Sequence, residues 1–139
     1  MSWRADIWIN TMPRILVVDD NAEFGRILQA HLTAHGHEVV TARDGDHGLA
    51  LIEQESFDIV LTDILMPQRD GIEVLRQVKQ RWPALPVIAV SGGGWIKAGD
   101  LLDMAERLGA DRVLQKPVRR DDLLAAVDAL LNEVLPDEG

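Results

Sequence analysis

The chain contains no cysteine, which excludes disulfide bonds and thiolate-bound zinc. Basic residues are outnumbered: 14 Lys and Arg against 23 Asp and Glu give a formal net charge of -9 at pH 7. Binding to nucleic acid draws on clustered Lys and Arg, so this charge argues against such a partner. No apolar run approaches the roughly 20 residues that span a bilayer. Residues 1–11 lack the pattern of a secretion signal, so we expect a soluble cytoplasmic protein with no membrane partner.

The length and the hydrophobic content predict one globular domain. A chain of 139 residues with 47% hydrophobic residues buries one core and leaves little for a second. The apolar pattern begins just after Pro13, so we expect a domain over residues 13–136 and an N-terminal extension outside the fold at residues 1–12. The sequence leaves open whether residues 1–11 are native.

Short apolar runs alternate with segments of helical spacing. The runs predict five strands, at residues 15–18, 38–42, 59–61, 87–90 and 113–114. The segments that follow them carry apolar residues three and four positions apart and predict five helices. Alternation of this kind favours parallel strands joined by right-handed crossovers, and therefore a doubly wound α/β sandwich.

Carboxylates follow two of the predicted strands. Asp19 and Asp20 end the first strand and Asp63 ends the third, so parallel strands would bring all three to one edge of the sheet. Carboxylates that share one pocket repel each other and destabilise the fold unless a cation compensates their charge. Carboxylate oxygens are ligands that suit Mg²⁺. The alternative is structural: Asp20 or Asn21 caps the next helix, and Asp63 starts a turn before Pro67.

Two further polar residues end the other strands. Ser91 follows the fourth strand and Lys116 follows the fifth, which places a hydroxyl and an ammonium group at the same edge. Both groups bind phosphoryl oxygens, so together with a metal they predict a phosphoryl-transfer site. Taken singly, Lys116 could be a solvated surface lysine and Ser91 a turn residue.

These residues resemble the motifs of the response-regulator receiver domain of two-component signalling, in particular the single-domain, chemotaxis-regulator-like type. The resemblance rests on Ile-Leu-Val-Val-Asp-Asp at residues 15–20, Asp-Ile-Leu-Met-Pro at 63–67 followed by Gly71, Ser91, and Lys116-Pro117. It extends from about residue 14 to residue 135. It implies a flavodoxin-like (βα)5 fold, with five parallel strands in the order 2-1-3-4-5.

The resemblance also implies a role for each acidic residue. Asp63 would be the phosphoacceptor, which takes a phosphoryl group from a phosphohistidine and becomes an aspartyl phosphate. Asp20 and Asp63 would ligate Mg²⁺ directly and Asp19 through water, while the backbone carbonyl of Leu65 would complete the protein ligands. Lys116 would pair with the phosphoryl group.

The same resemblance implies a switch. The Ser91 hydroxyl would reach for the phosphoryl oxygen once Asp63 is modified, and Gly92 would leave the phosphoryl group easy access. The Lys116-Pro117 peptide bond would be cis, as is usual in this family.

Two features depart from the family pattern. Val113 stands three residues before Lys116, where the family often has a switching Tyr or Phe, and valine is short and stiff at χ1. Trp95 follows three glycines at residues 92–94. Our hypothesis is that Trp95 supplies the moving aromatic side chain. The alternative is that it packs permanently over the fourth helix.

The expected partners are a sensor histidine kinase or a histidine phosphotransfer protein, together with a downstream protein target. Because the chain ends at Gly139, soon after the fifth predicted helix, we expect no output domain. The signal would then be a change of contacts on the surface of the fourth helix, fifth strand and fifth helix. We expect no enzyme beyond the protein's own phosphotransfer and autodephosphorylation. A phosphate sink, a relay intermediate and an unphosphorylated pseudo-receiver remain open alternatives.

The four histidines show no convincing metal-ligand spacing. His31, His35, His37 and His47 are therefore expected to lie at the surface or at helix ends.

Overall fold

The computed structural model describes residues 12–64, 71–91, 100, 103 and 106–134, with side chains through residue 132. The expectations for Leu65, Gly92 and Trp95 lie outside these residues. Five strands are described: β1 (Arg14–Val18), β2 (Glu38–Ala42), β3 (Ile59–Asp63), β4 (Val87–Ser91) and β5 (Arg112–Gln115). The helices with described bounds are α1 (Ala22–Ala34), α2 (Gly45–Gln54), α3 (Gly71–Arg81) and α4 (Arg120–Val134).

The label α4 therefore belongs to the fifth predicted helix. The fourth predicted helix is described only at scattered positions, where Asp100, Asp103, Glu106 and Arg107 have helical conformation.

All five strands are parallel and form one sheet in the order β2-β1-β3-β4-β5. This result confirms the doubly wound α/β fold and the strand order 2-1-3-4-5. In the register of the sheet, Asp63 at the end of β3 pairs with Val90, and Ser91 at the end of β4 pairs with Gln115. The carboxyl ends of the central strands therefore meet at one edge, where ligands of open α/β sheets bind.

Helices cover both faces of the sheet. On one face α2 and α3 pack on side chains such as Leu16 and Val60, and on the other α1 and α4 pack on Ile15 and Leu61. Every residue of β3 and β4 is buried, because a parallel sheet with helices on both faces exposes neither side. This explains why these strands appear in the sequence as continuous apolar runs.

The start of α1 is positioned by its capping residue. Asn21 is the N-cap, and its side chain accepts a hydrogen bond from the Phe24 N–H at 3.1 Å. The capping interpretation is thus correct for Asn21, which leaves the exposed Asp20 available for another role. Gly36 follows the helix with φ of 97°, a left-handed conformation that favours glycine. None of the described helices has the length and apolar character needed to cross a membrane.

Candidate functional site

Three carboxylates meet at the carboxyl edge of the sheet. Asp19, Asp20 and Asp63 each offer an oxygen atom, and these atoms lie within 4.8 Å of one another. Asp19 is 5% exposed and Asp63 is 4% exposed, whereas Asp20 is open to solvent. The three carboxylates share one edge of the sheet, as parallel strands predict; the structure adds that two of them are buried and one is exposed.

The backbone holds the two buried carboxylates in place. The Asp19 N–H donates to the carbonyl of Ala42 at 3.0 Å, which ties the end of β1 to the end of β2. The N–H of Ile64 donates to the carbonyl of Val90 at 2.9 Å and so continues the ladder of β3 and β4 past Asp63. Both acids therefore sit on rigid sheet backbone.

Lys116 brings an ammonium group into the pocket. Its Nζ donates to Oδ2 of Asp63 at 2.8 Å and lies 3.7 Å from Oδ2 of Asp19. The ammonium also lies 4.2 Å from the centroid of the Phe24 ring, a cation–π contact. The interpretation of Lys116 as a solvated surface lysine is therefore wrong. The Lys116-Pro117 peptide bond is cis, as the resemblance implies.

The helical spacing of α1 identifies Phe24 only as an apolar residue of that helix. Its contact with Lys116 is not predicted, because 92 positions separate the two residues along the sequence. The nearest indication of this contact in the sequence is the position of Phe24, four residues after Asp20. Phe24 lies on the first turn of the helix that follows the acidic pair.

The electrostatics of Asp19 reflect its burial. Burial raises the pKa of the Asp19 carboxyl group, and the nearby carboxylates of Asp63 and Asp20 raise it further. The Asn21 N–H, which donates to Asp19 Oδ1 at 2.8 Å, and the Lys116 ammonium oppose this shift. Asp19 Oδ2 is buried with no hydrogen-bond partner among the described residues. Lys116 supplies one positive charge against three carboxylates, so the pocket suits an additional cation.

Ser91 and Val113 lie on the neighbouring strands β4 and β5. Ser91 is fully buried at the last position of β4, and its carbonyl accepts a hydrogen bond from the Lys116 N–H at 2.7 Å. Val113 is half-buried beside the core that α2 and α3 cover, and it pairs with Ala89 in the sheet. Backbone contacts therefore link Ser91 directly to the segment that carries Lys116.

Gly71 begins α3 against the backbone of Asp63. A Cβ atom at this position would overlap the carbonyl oxygen of Asp63 and lie 2.5 Å from the Cα of Ile64. Only glycine lets the helix start this close to the end of β3. The sequence motif includes Gly71, but this reason for a glycine becomes visible only in the folded chain.

These features define the class of the protein: a doubly wound, five-stranded α/β domain with an acidic pocket and a lysine at the carboxyl ends of its strands. Residues 15–128 match the family model of the response regulator receiver domain, and the chain belongs to this family. Receiver domains are signalling domains of two-component systems and work with histidine kinases.

Several known proteins are similar to this chain. The response regulator MprA of Mycolicibacterium vanbaalenii is 37% identical over 131 residues, which cover 91% of this chain and 53% of that protein. The transcriptional activator protein PfeR of Pseudomonas aeruginosa is 38% identical over 125 residues, covering 90% of this chain and 40% of PfeR. The chain thus spans about half the length, or less, of these curated relatives.

Solved structures of receiver domains are also similar to this chain. A CheY-like response regulator receiver domain protein from Methanospirillum hungatei JF-1 superposes with a TM-score of 0.82 at 33% sequence identity. The match covers 92% of this chain and 99% of that one.

Proposed function

We propose that Asp63 accepts a phosphoryl group from a phosphohistidine on a sensor histidine kinase or a histidine phosphotransfer protein. The observation that carries this proposal is the position of Asp63. Asp63 is 4% exposed at the end of β3, the Lys116 ammonium lies 2.8 Å from its Oδ2, and two further carboxylates share the pocket. An ammonium already aimed at one carboxylate oxygen is placed to bind a phosphoryl group attached there.

The chemistry is a nucleophilic displacement at phosphorus. A carboxylate oxygen of Asp63 forms a bond to the phosphorus atom as the bond from phosphorus to the imidazole nitrogen breaks. The imidazole keeps the electron pair and takes up a proton. Lys116 then pairs with the phosphoryl oxygens, which carry more negative charge than the carboxylate that it contacted before.

The acidic pocket is suited to Mg²⁺. Asp20 and Asp63 would ligate the ion, and Asp19 would hold it through water, together with the backbone carbonyl of Leu65, which lies outside the described residues. The buried Oδ2 of Asp19, without a hydrogen-bond partner in the described part of the chain, supports this assignment. When bound, Mg²⁺ supplies positive charge that offsets the carboxylates and the phosphoryl oxygens.

Ser91 and Lys116 would convey the modification to a partner-binding surface. The Ser91 hydroxyl would turn toward the phosphoryl oxygen, and the hydrogen bond from Lys116 N–H to the Ser91 carbonyl, at 2.7 Å, couples the two residues. Lys116 directly follows β5 and precedes α4, so a shift there changes the surface formed by the fourth predicted helix, β5 and α4. Phosphorylation would thus bias an equilibrium between two sets of partner contacts.

Val113 favours a second candidate function. A short, stiff side chain at the position of the usual switch aromatic cannot swap between buried and exposed positions in the same manner. The domain would then serve as a phosphate sink or relay intermediate and need no downstream target. Transfer of the phosphoryl group from the modified protein to a histidine phosphotransfer domain, measured with a radioactive label, would support the relay role.

The deciding experiment is phosphorylation by acetyl phosphate with Mg²⁺, followed by intact-mass measurement. We expect one hydroxylamine-sensitive phosphoryl adduct on the parent and none on Asp63→Asn. Asp103→Asn is the matched control, because Asp103 is exposed and lies outside the pocket. If the parent carries no adduct even after incubation with histidine kinases, the phosphoacceptor assignment is wrong and the protein is a pseudo-receiver.

A further inference from the structure

A second cluster of ligand side chains lies at the opposite edge of the sheet. It consists of His35, His37 and Asp128. His35 ends α1, His37 directly precedes β2, and Asp128 lies on α4. Because His37 leads into the amino end of β2, the cluster is at the amino ends of the strands, whereas the aspartate pocket is at their carboxyl ends.

The three side chains are already close together. One ligand atom from each lies within 4.8 Å of the others, and His35 Nε2 is 3.4 Å from Asp128 Oδ2. The rings of His35 and His37 have centroids 5.5 Å apart. His35 is exposed at the end of α1, as the sequence predicts, whereas His37 is buried and does not lie at the surface.

His37 has an unusual environment. It is 6% exposed, and both of its ring nitrogens are buried without a hydrogen-bond partner among the described residues. Buried polar side chains almost always have such a partner, so an imidazole of this kind needs a ligand. Burial lowers the pKa of His37, which keeps the ring in the neutral form that has a free lone pair.

We propose that His35, His37 and Asp128 bind a divalent transition metal ion, with Zn²⁺ as the best fit. Two imidazoles and one carboxylate are a ligand set that Zn²⁺ accepts and that Mg²⁺, which prefers oxygen ligands, does not favour. Tetrahedral zinc with bonds of about 2.0–2.1 Å places its ligand atoms about 3.4 Å apart. His35 Nε2 and Asp128 Oδ2 already have this separation of 3.4 Å.

The exposed members of the cluster allow the ion to enter. The side chains of His35 and Asp128 are 40% and 52% exposed, so solvent reaches the cluster beside the buried His37. Water fills the remaining coordination position. The bound metal would join the end of α1 to α4, because it would bind both His35 and Asp128, which are 93 positions apart in the sequence. Both helices cover the same face of the sheet.

The test uses protein without a polyhistidine tag and Mg²⁺ in large excess, so that the aspartate pocket does not compete for the added metal. Zn²⁺ is titrated by calorimetry and Co²⁺ by visible absorption. We expect one Zn²⁺ per chain. Since loss of a residue that merely orients a ligand costs about 10- to 100-fold in metal affinity, His35→Ala and Asp128→Asn should each weaken binding by about tenfold or more.

The controls separate this site from nonspecific binding. His31→Ala removes a histidine of α1 outside the cluster and should leave the affinity unchanged. His37→Ala should abolish binding, and circular dichroism checks that this variant folds. His35→Ala and Asp128→Asn change exposed side chains, so we expect both variants to fold. The proposal is overturned if excess Mg²⁺ displaces the bound Zn²⁺. It is also overturned if neither His35→Ala nor Asp128→Asn lowers the Zn²⁺ affinity.

Discussion

Lys116→Met tests how the pocket tolerates its buried negative charge. Methionine keeps most of the apolar stem and removes the ammonium group, together with its cation–π contact with Phe24. That group lies 2.8 Å from Asp63 Oδ2 and 3.7 Å from Asp19 Oδ2. The substitution therefore leaves two buried carboxylates without this counter-charge.

The structure sets the size of the effect. At an effective dielectric constant of about 20, the two attractions amount to about 6 and about 4.5 kcal/mol before desolvation of the lysine is subtracted. Breaking a buried pair costs about 3–5 kcal/mol. The lysine side chain is 23% exposed, so we expect the lower end of this range, about 3 kcal/mol, in the free energy of unfolding at pH 8 without Mg²⁺.

Urea denaturation with and without Mg²⁺ measures this cost. Mg²⁺ should restore a large part of the lost stability, because the ion replaces the missing positive charge. Lys79→Met is the matched control: Lys79 Nζ lies 3.0 Å from Asp111 Oδ2 and donates to the Leu85 carbonyl at 2.9 Å, and the Asp111 side chain is 35% exposed. We expect a loss of about 1 kcal/mol or less there, with no response to Mg²⁺.

An equal loss in the two variants, or a Lys116→Met deficit that Mg²⁺ does not reduce, would refute the reasoning. The double variant Lys116→Met/Asp63→Asn should be more stable than Lys116→Met alone, since it buries one carboxylate fewer. A double variant that is less stable would show that packing, and not charge, explains the single substitution.

Three further predictions concern the same pocket. Asp20→Asn should weaken Mg²⁺ binding about tenfold, equivalent to about 1.4 kcal/mol, and shift phosphorylation to higher Mg²⁺; an unchanged Mg²⁺ dependence contradicts the assignment. Gly71→Ala should cost about 1–3 kcal/mol, because its Cβ meets backbone, whereas Gly25→Ala, with nothing within 4 Å, should be neutral or stabilising. Because burial raises the pKa of Asp19 above 3.8, metal-free protein should lose stability as the pH rises through that folded-state pKa. Urea midpoints measured from pH 4 to 7 should fall with rising pH in the parent and fall less in Asp19→Asn.

Local patterns in the sequence were sufficient for the strands and for the type of fold. Runs such as residues 59–61 and 87–90 are apolar without interruption because helices cover both faces of the sheet, so burial is visible in the sequence itself. The order 2-1-3-4-5 came from the family resemblance, because periodicity shows which residues are buried but not which strands are neighbours.

The site, too, was predictable from the sequence only in part. The sequence by itself determined that Asp19, Asp20, Asp63 and Lys116 lie at or just after the ends of strands, and parallel strands place such residues at one edge. Only the tertiary structure decided the contacts: Lys116 reaches Asp63 across 53 positions, and Asp128 meets His35 across 93. Contacts of this kind depend on how crossovers and helices pack, a nonlocal property that sequence spacing does not encode.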